Sequence, residues 1–488
     1  MKLLRKYSVF LFLLLLFIAP AQSQAQAKRS AHWFFGWNAG LNFNSGTPVA
    51  DTNSTIFTIE GCASISDTAG NLLFYSDGVN VWNRNHTLMP NGTGLIGNVS
   101  SNQSCLIVPM PGDPQRHYLF TNGTLFAYSI IDMNLDNGLG DVVVASKNLA
   151  LYSNAGEDMA GTLHCNATDY WIIGRQRNSL TTSTYHIYRL TSSGLSAAIL
   201  FQFDRTNYNV GHLTFSQDGR RLSASIQTNT SYIFDFDRQT GNMTLQDSIV
   251  SPGNGSWVYS TAFSPDNSKL YATIWEVPGY CYVSQFDRNA SNLTTSRVNL
   301  DSVDFSNGSP NGYGYIGRMQ IASDQRIYIS RWALPYPYTC STSTSYCIDS
   351  LDAILQPNNP GMSCNFQRGV ISLDGKATMI GLPAFVSQFT AVGIPLYMCE
   401  PTGINETFNE NELTLFPNPL SEWTEIRLKQ YETNCVFEVY NAAGVLVRSQ
   451  PVPSAHFYFE AEGLGSGIYF CRIQLANRVL TGKLVIVD

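Results

Sequence analysis

Charge is scarce in this chain of 488 residues: Asp, Glu, Lys and Arg together make up 13% of it, about half the roughly 25% of an ordinary globular protein. Long solvated helices need charged outer faces, so a mainly helical fold is excluded. A basic surplus is also lacking. The formal net charge of −7 offers neither a general attraction to nucleic acid nor a basic patch for anionic lipid. Long apolar runs are missing as well. The run VFLFLLLLFI at residues 9–18 is half of the roughly 20 residues that a spanning helix needs, and nothing later resembles a transmembrane anchor.

Catalytic and metal signatures are absent in the same way. There is no GxSxG elbow, no GxxxxGK phosphate loop and no EF-hand loop. The histidines are His32, His86, His117, His164, His186, His212 and His456, and no two stand at the i, i+2 or i, i+4 spacing of a local metal pair. No CxxC occurs, and no cysteine–histidine spacing fits a zinc site. The turn DMNLDNGLGD at residues 132–141 lacks the oxygen ladder and terminal Glu of a calcium loop. No metal, cofactor or catalytic residue is assigned from the sequence.

The apolar run at residues 9–18 follows Lys2, Arg5 and Lys6 and precedes small residues at Ala21, Ser23, Ala25 and Ala27. This order reads as a secretory signal peptide over residues 1–27, cut between about Ser23 and Ala27. Its removal takes no acidic residue and moves the net charge to −10. All ten cysteines follow it, and an even number in an exported chain suggests disulfides. Cys340 and Cys347 flank a short Ser/Thr loop and form the first candidate pair.

What the chain does have is a repeated hairpin. In TAFSPDNSKLYATIW (residues 261–275) an apolar run ends in Ser-Pro-Asp-Asn and a second run begins at once, which is strand, tight turn, strand. Close copies are LTFSQDGRRLSASI (213–226) and MQIASDQRIYIS (319–330); looser ones begin at Cys62, Leu106 and Leu163. The turn aspartates Asp67, Asp113, Asp169, Asp218, Asp266 and Asp324 recur about every 50 residues, with four short strand-like runs per period. That combination is the signature of a β-propeller blade. Six periods are complete. Residues 32–50 supply three further strands and residues 381–389 an orphan one, so the expected fold is a seven-bladed β-propeller over residues 28–399. Its last blade is then sewn from both ends of the domain, with residues 382–389 pairing beside residues 32–37. After a polar linker at residues 400–412, seven short runs with turn signals between them predict a small Ig-like β-sandwich over residues 413–488. The fold class is all-β throughout. Strand parity points Cys435 and Cys471 into the core of the second domain, as either a disulfide or two buried thiols.

The second domain carries LTLFPNP (413–419), VYNAAGVLV (439–447), GLGSGIYFCRI (463–473) and GKLVIVD (482–488). It resembles the C-terminal sorting domain of cargo for the type IX secretion system of Bacteroidota. The resemblance implies export in two steps, a partnership with that secretion machinery through residues 413–488, and release or attachment at the cell surface. HWFFGWNAGLNF (32–43), residues 60–86 and GLPAFVSQF (381–389) resemble the N-terminal region of large secreted Bacteroidota proteins, for which no activity is implied. The Ser-Pro-Asp hairpin resembles YVTN-type and WD-repeat propellers in fold alone. The triplets at Asp67, Asp247, Asp301 and Asp349 are similar to the O-glycosylation acceptor of Bacteroidota.

In a four-stranded meander, the loops between strands 2 and 3 and between successive blades lie on one face. Stretches rich in Gly, Pro and aromatics fall there, so Trp257, Trp275, Tyr313, Tyr315, Trp332, Tyr336 and Tyr338 are candidate ligand-binding residues. Residues that open the inner strands are expected to ring the channel mouth: Glu60, Gln103, Glu157, His212, Tyr259 and Arg318. Packing between blades is the competing role for any one ring. The expected function is an exported binding module for an extracellular glycan or protein. A propeller lyase or glycosidase and a gliding-associated structural component are the alternatives. Acidic residues at the mouth with a raised carboxylate pKa would favour the enzyme.

Overall fold

The computed structural model describes residues 24–179, 181–204, 211–225, 228–252, 255–276, 279–305, 315–332, 348–393, 399, 413–429, 431–433, 435–442, 444–475 and 479–487. The chain divides into two compact units, Met1–Cys399 and Glu400–Asp488. Among the described residues no helix is long and apolar enough to cross a membrane.

The first unit is propeller-like. Its described strands form seven antiparallel sheets, each built from consecutive strands. The first sheet is His32–Phe35, Ala39–Asn42 and Val49–Ala50; the second is Ala63–Ser66, Leu72–Ser76 and Val81–Asn83. The innermost strands of the remaining five are Cys105–Met110, Ala155–Leu163, His212–Phe215, Trp257–Phe263 and Tyr315–Ile321. Burial falls from inside to outside. Cys105–Met110 is buried over all but its last residue, whereas the outer strands Met243–Val250 and Phe366–Ser372 are largely exposed. A sheet that buries both faces at its inner edge and reaches water at its outer edge needs neighbours on two sides.

The hairpins share one local cause. At five of the six repeats the turn aspartate accepts the backbone N–H two residues on: Asp67 from Ala69, Asp113 from Gln115, Asp218 from Arg220, Asp266 from Ser268 and Asp324 from Arg326, at 2.8–3.1 Å. This side-chain mimic of a backbone turn fixes the reversal without a long loop. Asp169 differs. Asn166 takes the capping role there, and Asp169 pairs with Arg189 at 2.7 Å.

Each sheet is stitched to the next. Ser64 Oγ donates to the carbonyl of His32 (2.5 Å), joining the second sheet to the first. Cys105 Sγ contacts the Ser76 carbonyl (3.4 Å), and Gln103 N–H donates to the Glu157 carbonyl (2.9 Å). Trp171 Nε1 donates to the Arg238 carbonyl (2.8 Å), and Thr261 Oγ1 to Ser223 Oγ (2.9 Å). Thr273 Oγ1 donates to the Gly317 carbonyl (2.9 Å). The last junction combines a backbone bridge, Trp37 N–H to the Ala377 carbonyl (2.8 Å), with aromatic packing: Tyr328 of the seventh sheet lies edge-on to Trp33 and Phe43, with ring centroids 5.9 and 5.7 Å apart.

Residues 382–389 do not make the strand expected of them. Among the described residues His32–Phe35 pairs only with Ala39–Asn42, and the later segment forms one parallel bridge, Pro383 with Cys62, followed by a short 3-10 helix, Ser387–Phe389. Trp33 still touches Phe385 (5.8 Å), so the segment lies beside the first sheet without joining its ladder. Polar contacts pull it toward the axis instead. Ala384 N–H donates to the Cys62 carbonyl (2.8 Å). Gln388 Oε1 accepts from Leu163 N–H (2.6 Å), Gln388 Nε2 donates to Thr162 Oγ1 (3.0 Å), and Gln217 Nε2 donates to the Thr390 carbonyl (2.7 Å). The chain thus crosses from the second sheet to the fourth and fifth as an axial plug. Cys399 ends this unit in a disulfide with Cys165, 234 residues away. Sequence spacing gave no signal for that pair. Cys340 and Cys347 lie outside the described residues.

In the second unit the strands Leu413–Phe416, Trp423–Leu428 and His456–Glu460 form one sheet. Val436–Asn441, Leu446–Pro451, Gly467–Gln474 and Val479–Ile486 form the other. Ile426, Phe437, Val439, Phe459, Ile473 and Leu484 fill the core between them. Cys435 and Cys471 are both buried there but are not bridged. The register explains this: Cys471 stands opposite Val439, four residues along the strand from Cys435.

Gln388 tests the plug. A Gln388→Leu variant keeps the volume but leaves the Leu163 N–H and the Thr162 hydroxyl short of partners. The unfolding free energy should fall by about 1–3 kcal/mol, read by chemical denaturation of the purified chain, while Gln→Glu at exposed Gln202 should change it little.

Candidate functional site

The inner strands begin on one side of the ring, and the residues that open them meet across it. Tyr259, third residue of the sixth sheet's inner strand, donates its hydroxyl to Glu60 Oε1 at 3.2 Å. Glu60 leads into the second sheet. Ser100 Oγ lies 3.5 Å from its other oxygen. Glu157 Oε2 accepts the Asn102 N–H at 3.4 Å. Burial, reinforced by the charge of Glu157, pushes Glu60 up to about 8, and burial pushes Glu157 up to about 6. Burial and the neighbouring Glu60 carboxyl drive the Tyr259 hydroxyl well above its ordinary value. The site therefore holds a protonated Glu60 and a neutral phenol at neutral pH.

His212 lies beneath Tyr259. Its Nδ1 donates to the Tyr259 carbonyl (2.7 Å), which leaves Nε2 as a buried acceptor without a partner among the described residues. Burial, together with the nearby Arg318, lowers the imidazole to about 3. Asn102 Oδ1 is likewise buried and unpartnered. Gln103 is committed elsewhere. Its Oε1 accepts from Met159 N–H (3.1 Å) and Leu213 N–H (2.8 Å), and its Nε2 donates to the Leu213 carbonyl (3.0 Å), so it bolts the fourth sheet to the fifth. Arg318 is buried and donates Nη1 to the Leu382 carbonyl at 2.9 Å.

The aromatic candidates form a continuous array. Trp257 and Trp275 are a cross-strand pair with rings 5.4 Å apart. Trp275 stacks on Tyr259 (5.5 Å) and on Tyr315 (5.0 Å), and Tyr315 meets its own cross-strand partner Trp332 at 6.1 Å. Trp257, Trp275, Tyr315 and Trp332 are partly exposed, and Tyr259 is buried. These rings do not sit in loops as expected. The ladder runs on to Glu276 and Trp332, because paired aromatics directly opposite each other extend a sheet. The inter-sheet role is also present, since Trp275 Nε1 donates to the Ile316 carbonyl (2.9 Å). Tyr313, Tyr336 and Tyr338 lie outside the described residues.

Below the mouth the axis is filled. Leu106, Met159, Phe215, Phe263, Met319, Ala384 and Phe385 leave a cavity of about 40 Å³, with Arg318, Gln103 and Gln217 among its polar lining. A sugar cannot enter that volume. Ser100 and Asn102, just before the third sheet, were not foreseen; only their place beside Gln103 could have flagged them.

One group has the composition of a metal centre. His164 Nδ1 and the sulfurs of Cys165 and Cys399 lie within 4.8 Å of one another. The sulfurs are joined as a disulfide, and a disulfide has no thiolate to offer a cation.

Residues 414–487 match the family model described as the secretion system C-terminal sorting domain. The tail thus carries a type IX sorting signal, which implies export to the cell surface or release. No curated protein matches the chain. Among solved structures, a candidate 6-phosphogluconolactonase from Bacteroides uniformis is 13% identical, with 88% of this chain and 98% of that one covered and a TM-score of 0.38. The β-propeller domain of Myceliophteria thermophila Cps50 is 10% identical, with 63% and 93% covered and a TM-score of 0.37. PorZ, a surface component of the type IX secretion system of Porphyromonas gingivalis, is 11% identical, with 93% and 81% covered and a TM-score of 0.23. Likenesses at this level carry no inference about activity.

The raised Glu60 makes stability depend on pH. The folded chain holds its proton up to about pH 8, whereas the unfolded chain releases it near 4.5. Between those values the native state binds more protons, so stability falls as pH rises and levels off above about 8. A Glu60→Gln variant stays neutral throughout. The stability of the parent relative to this variant should drop by roughly 1–3 kcal/mol from pH 5 to pH 8, measured by paired denaturant titrations. An unchanged difference would place Glu60 in water.

Proposed function

We propose that this chain is an exported carbohydrate-binding protein. Residues 1–27 act as a signal peptide and residues 28–399 form a seven-bladed β-propeller. Residues 400–412 link it to an Ig-like sorting domain at residues 413–488. The ligand is a neutral extracellular glycan held at the mouth of the ring. One observation carries this reading: Tyr259 joins the protonated carboxyl of Glu60 to a row of rings, with its hydroxyl on Glu60 and its face on Trp275. Sugars present C–H faces and hydroxyl edges. Rings such as Trp257, Trp275, Tyr315 and Trp332 suit the faces, and uncharged Glu60 with Glu157 suits the edges as donor and acceptor. Tyr313, Tyr336, Tyr338 and a Cys340–Cys347 bridge belong to the same reading as parts of the surrounding loops.

A second reading has its own support. Two carboxyls of unequal pKa, Glu60 at about 8 and Glu157 at about 6, are the makings of an acid and a base. A glycosidase or lyase would use them in those roles.

A glycan array with the purified chain identifies the ligand and separates the readings. Trp275→Ala and Glu60→Gln should each weaken binding by about 1–3 kcal/mol without unfolding the ring. A binding protein leaves the captured glycan intact. Shortened oligosaccharides that disappear with Glu60→Gln would establish the hydrolytic reading instead, and unchanged affinity in both variants would remove the site.

Export has a separate test. Deleting residues 413–488 should leave the first unit folded, because it has its own cores, but absent from the cell surface and medium by immunoblot of cell fractions. Equal display with and without the tail would overturn the sorting role.

A further inference from the structure

Four arginines of the first unit are buried, and three of them are well matched. Arg175 is held by both oxygens of Asp158. Arg331 pairs with Asp301 and Asp352. Arg238, which also forms no ion pair with a carboxylate among the described residues, donates to three carbonyls, those of Leu163, Asp218 and His164. Arg318 has the fewest acceptors. It is 5% exposed, its guanidinium donates to the Leu382 carbonyl, and among the described residues no carboxylate forms an ion pair with it. A guanidinium has five N–H donors. The groups that feel its charge are Tyr259, His212, Cys62 and Cys105. All four are neutral at pH 7: burial raises the thiols and the phenol and lowers the imidazole. Burial lowers Arg318 only to about 10, so it keeps its charge. A buried charge without a counter-charge is costly, and Arg318 lines the axial cavity of about 40 Å³.

We propose that this cavity binds one small monovalent anion of the size of chloride, held by Arg318 at the junction of the seventh sheet, the axial segment and the mouth. The volume admits a single halide ion or one to two waters. It excludes sulfate, a sugar and a peptide carboxylate with its chain. The anion supplies the missing counter-charge and accepts the N–H groups that the Leu382 carbonyl leaves over. The site differs from the glycan mouth in ligand and depth, and does not depend on that reading.

The test uses the full chain at constant ionic strength. Thermal unfolding is followed while sodium methanesulfonate is exchanged for sodium chloride, sodium bromide or sodium sulfate. Chloride and bromide should raise Tm along a saturating curve, as a ligand of the native state does; sulfate should not. Arg318→Met should abolish the halide response, and Arg318→Lys should keep part of it. Crystals grown in bromide should show an anomalous peak against the Arg318 guanidinium, which decides the matter if Arg318→Met fails to fold. A Tm indifferent to halide together with water in the cavity would overturn the proposal, as would an equal halide response in a folded Arg318→Met.

Discussion

The first unit depends on one constraint: seven sheets must each bury two faces, and among the described residues the backbone joins the chain after the last sheet to the first by a single bridge, Trp37 with Ala377. The rest of the closure falls to side chains. Tyr328 packs edge-on against Trp33 and Phe43, and the axial segment carries Gln388 to the fourth sheet and Thr390 to the fifth. A ring held this way has no pairing strand to peel off its seam. It has instead a buried segment whose amides and carbonyls must all find partners. The small polar residues at the junctions follow from the same need. Ser64, Thr261 and Thr273 each send a hydroxyl to a neighbouring sheet where a larger side chain would force the sheets apart.

Filling the axis decides where chemistry can happen. Many rings leave a channel, but here Met159, Met319, Phe215, Phe263 and Phe385 close it to about 40 Å³. What remains is the shallow mouth where the inner strands begin. Each strand contributes its opening residue there, so groups far apart in sequence are brought together: Glu60 meets Tyr259 across 199 residues. Two carboxyls in one low-dielectric place cannot both ionise cheaply, and at neutral pH Glu60 keeps its proton while Glu157 carries charge, beside a row of rings. The chain's general acidity therefore says little about the charge at this mouth.

Much of the architecture was legible in the sequence because its cause is local. The aspartate that accepts the N–H two residues on is a matter of neighbouring residues, and all six hairpins stand where their turns predicted. The seven strands of the tail follow from alternation and turn signals in the same way. The openers of the inner strands could be named from topology, since the meander fixes which end of each strand faces which side. The partners of those residues could not. Gln103 reads like any polar opener, yet three backbone contacts occupy it. Residues 382–389 look like a strand by their apolar content. They cross the axis because Gln388 and Thr390 satisfy distant sheets, which no local pattern records. The same blindness explains Cys165 with Cys399, a pair fixed by where the plug ends.

The disulfide and the plug then answer one problem together. An axial segment gains nothing from a ladder, and its anchoring polar groups are spread over four sheets. Left to itself, its far end would fray toward the linker. A covalent tie from Cys399 to Cys165, beside the Leu163 N–H that Gln388 accepts, stops fraying where the contacts end. The same peptide also offers the Leu382 carbonyl to Arg318, so one segment packs along the axis and supplies the acceptor of a buried cation.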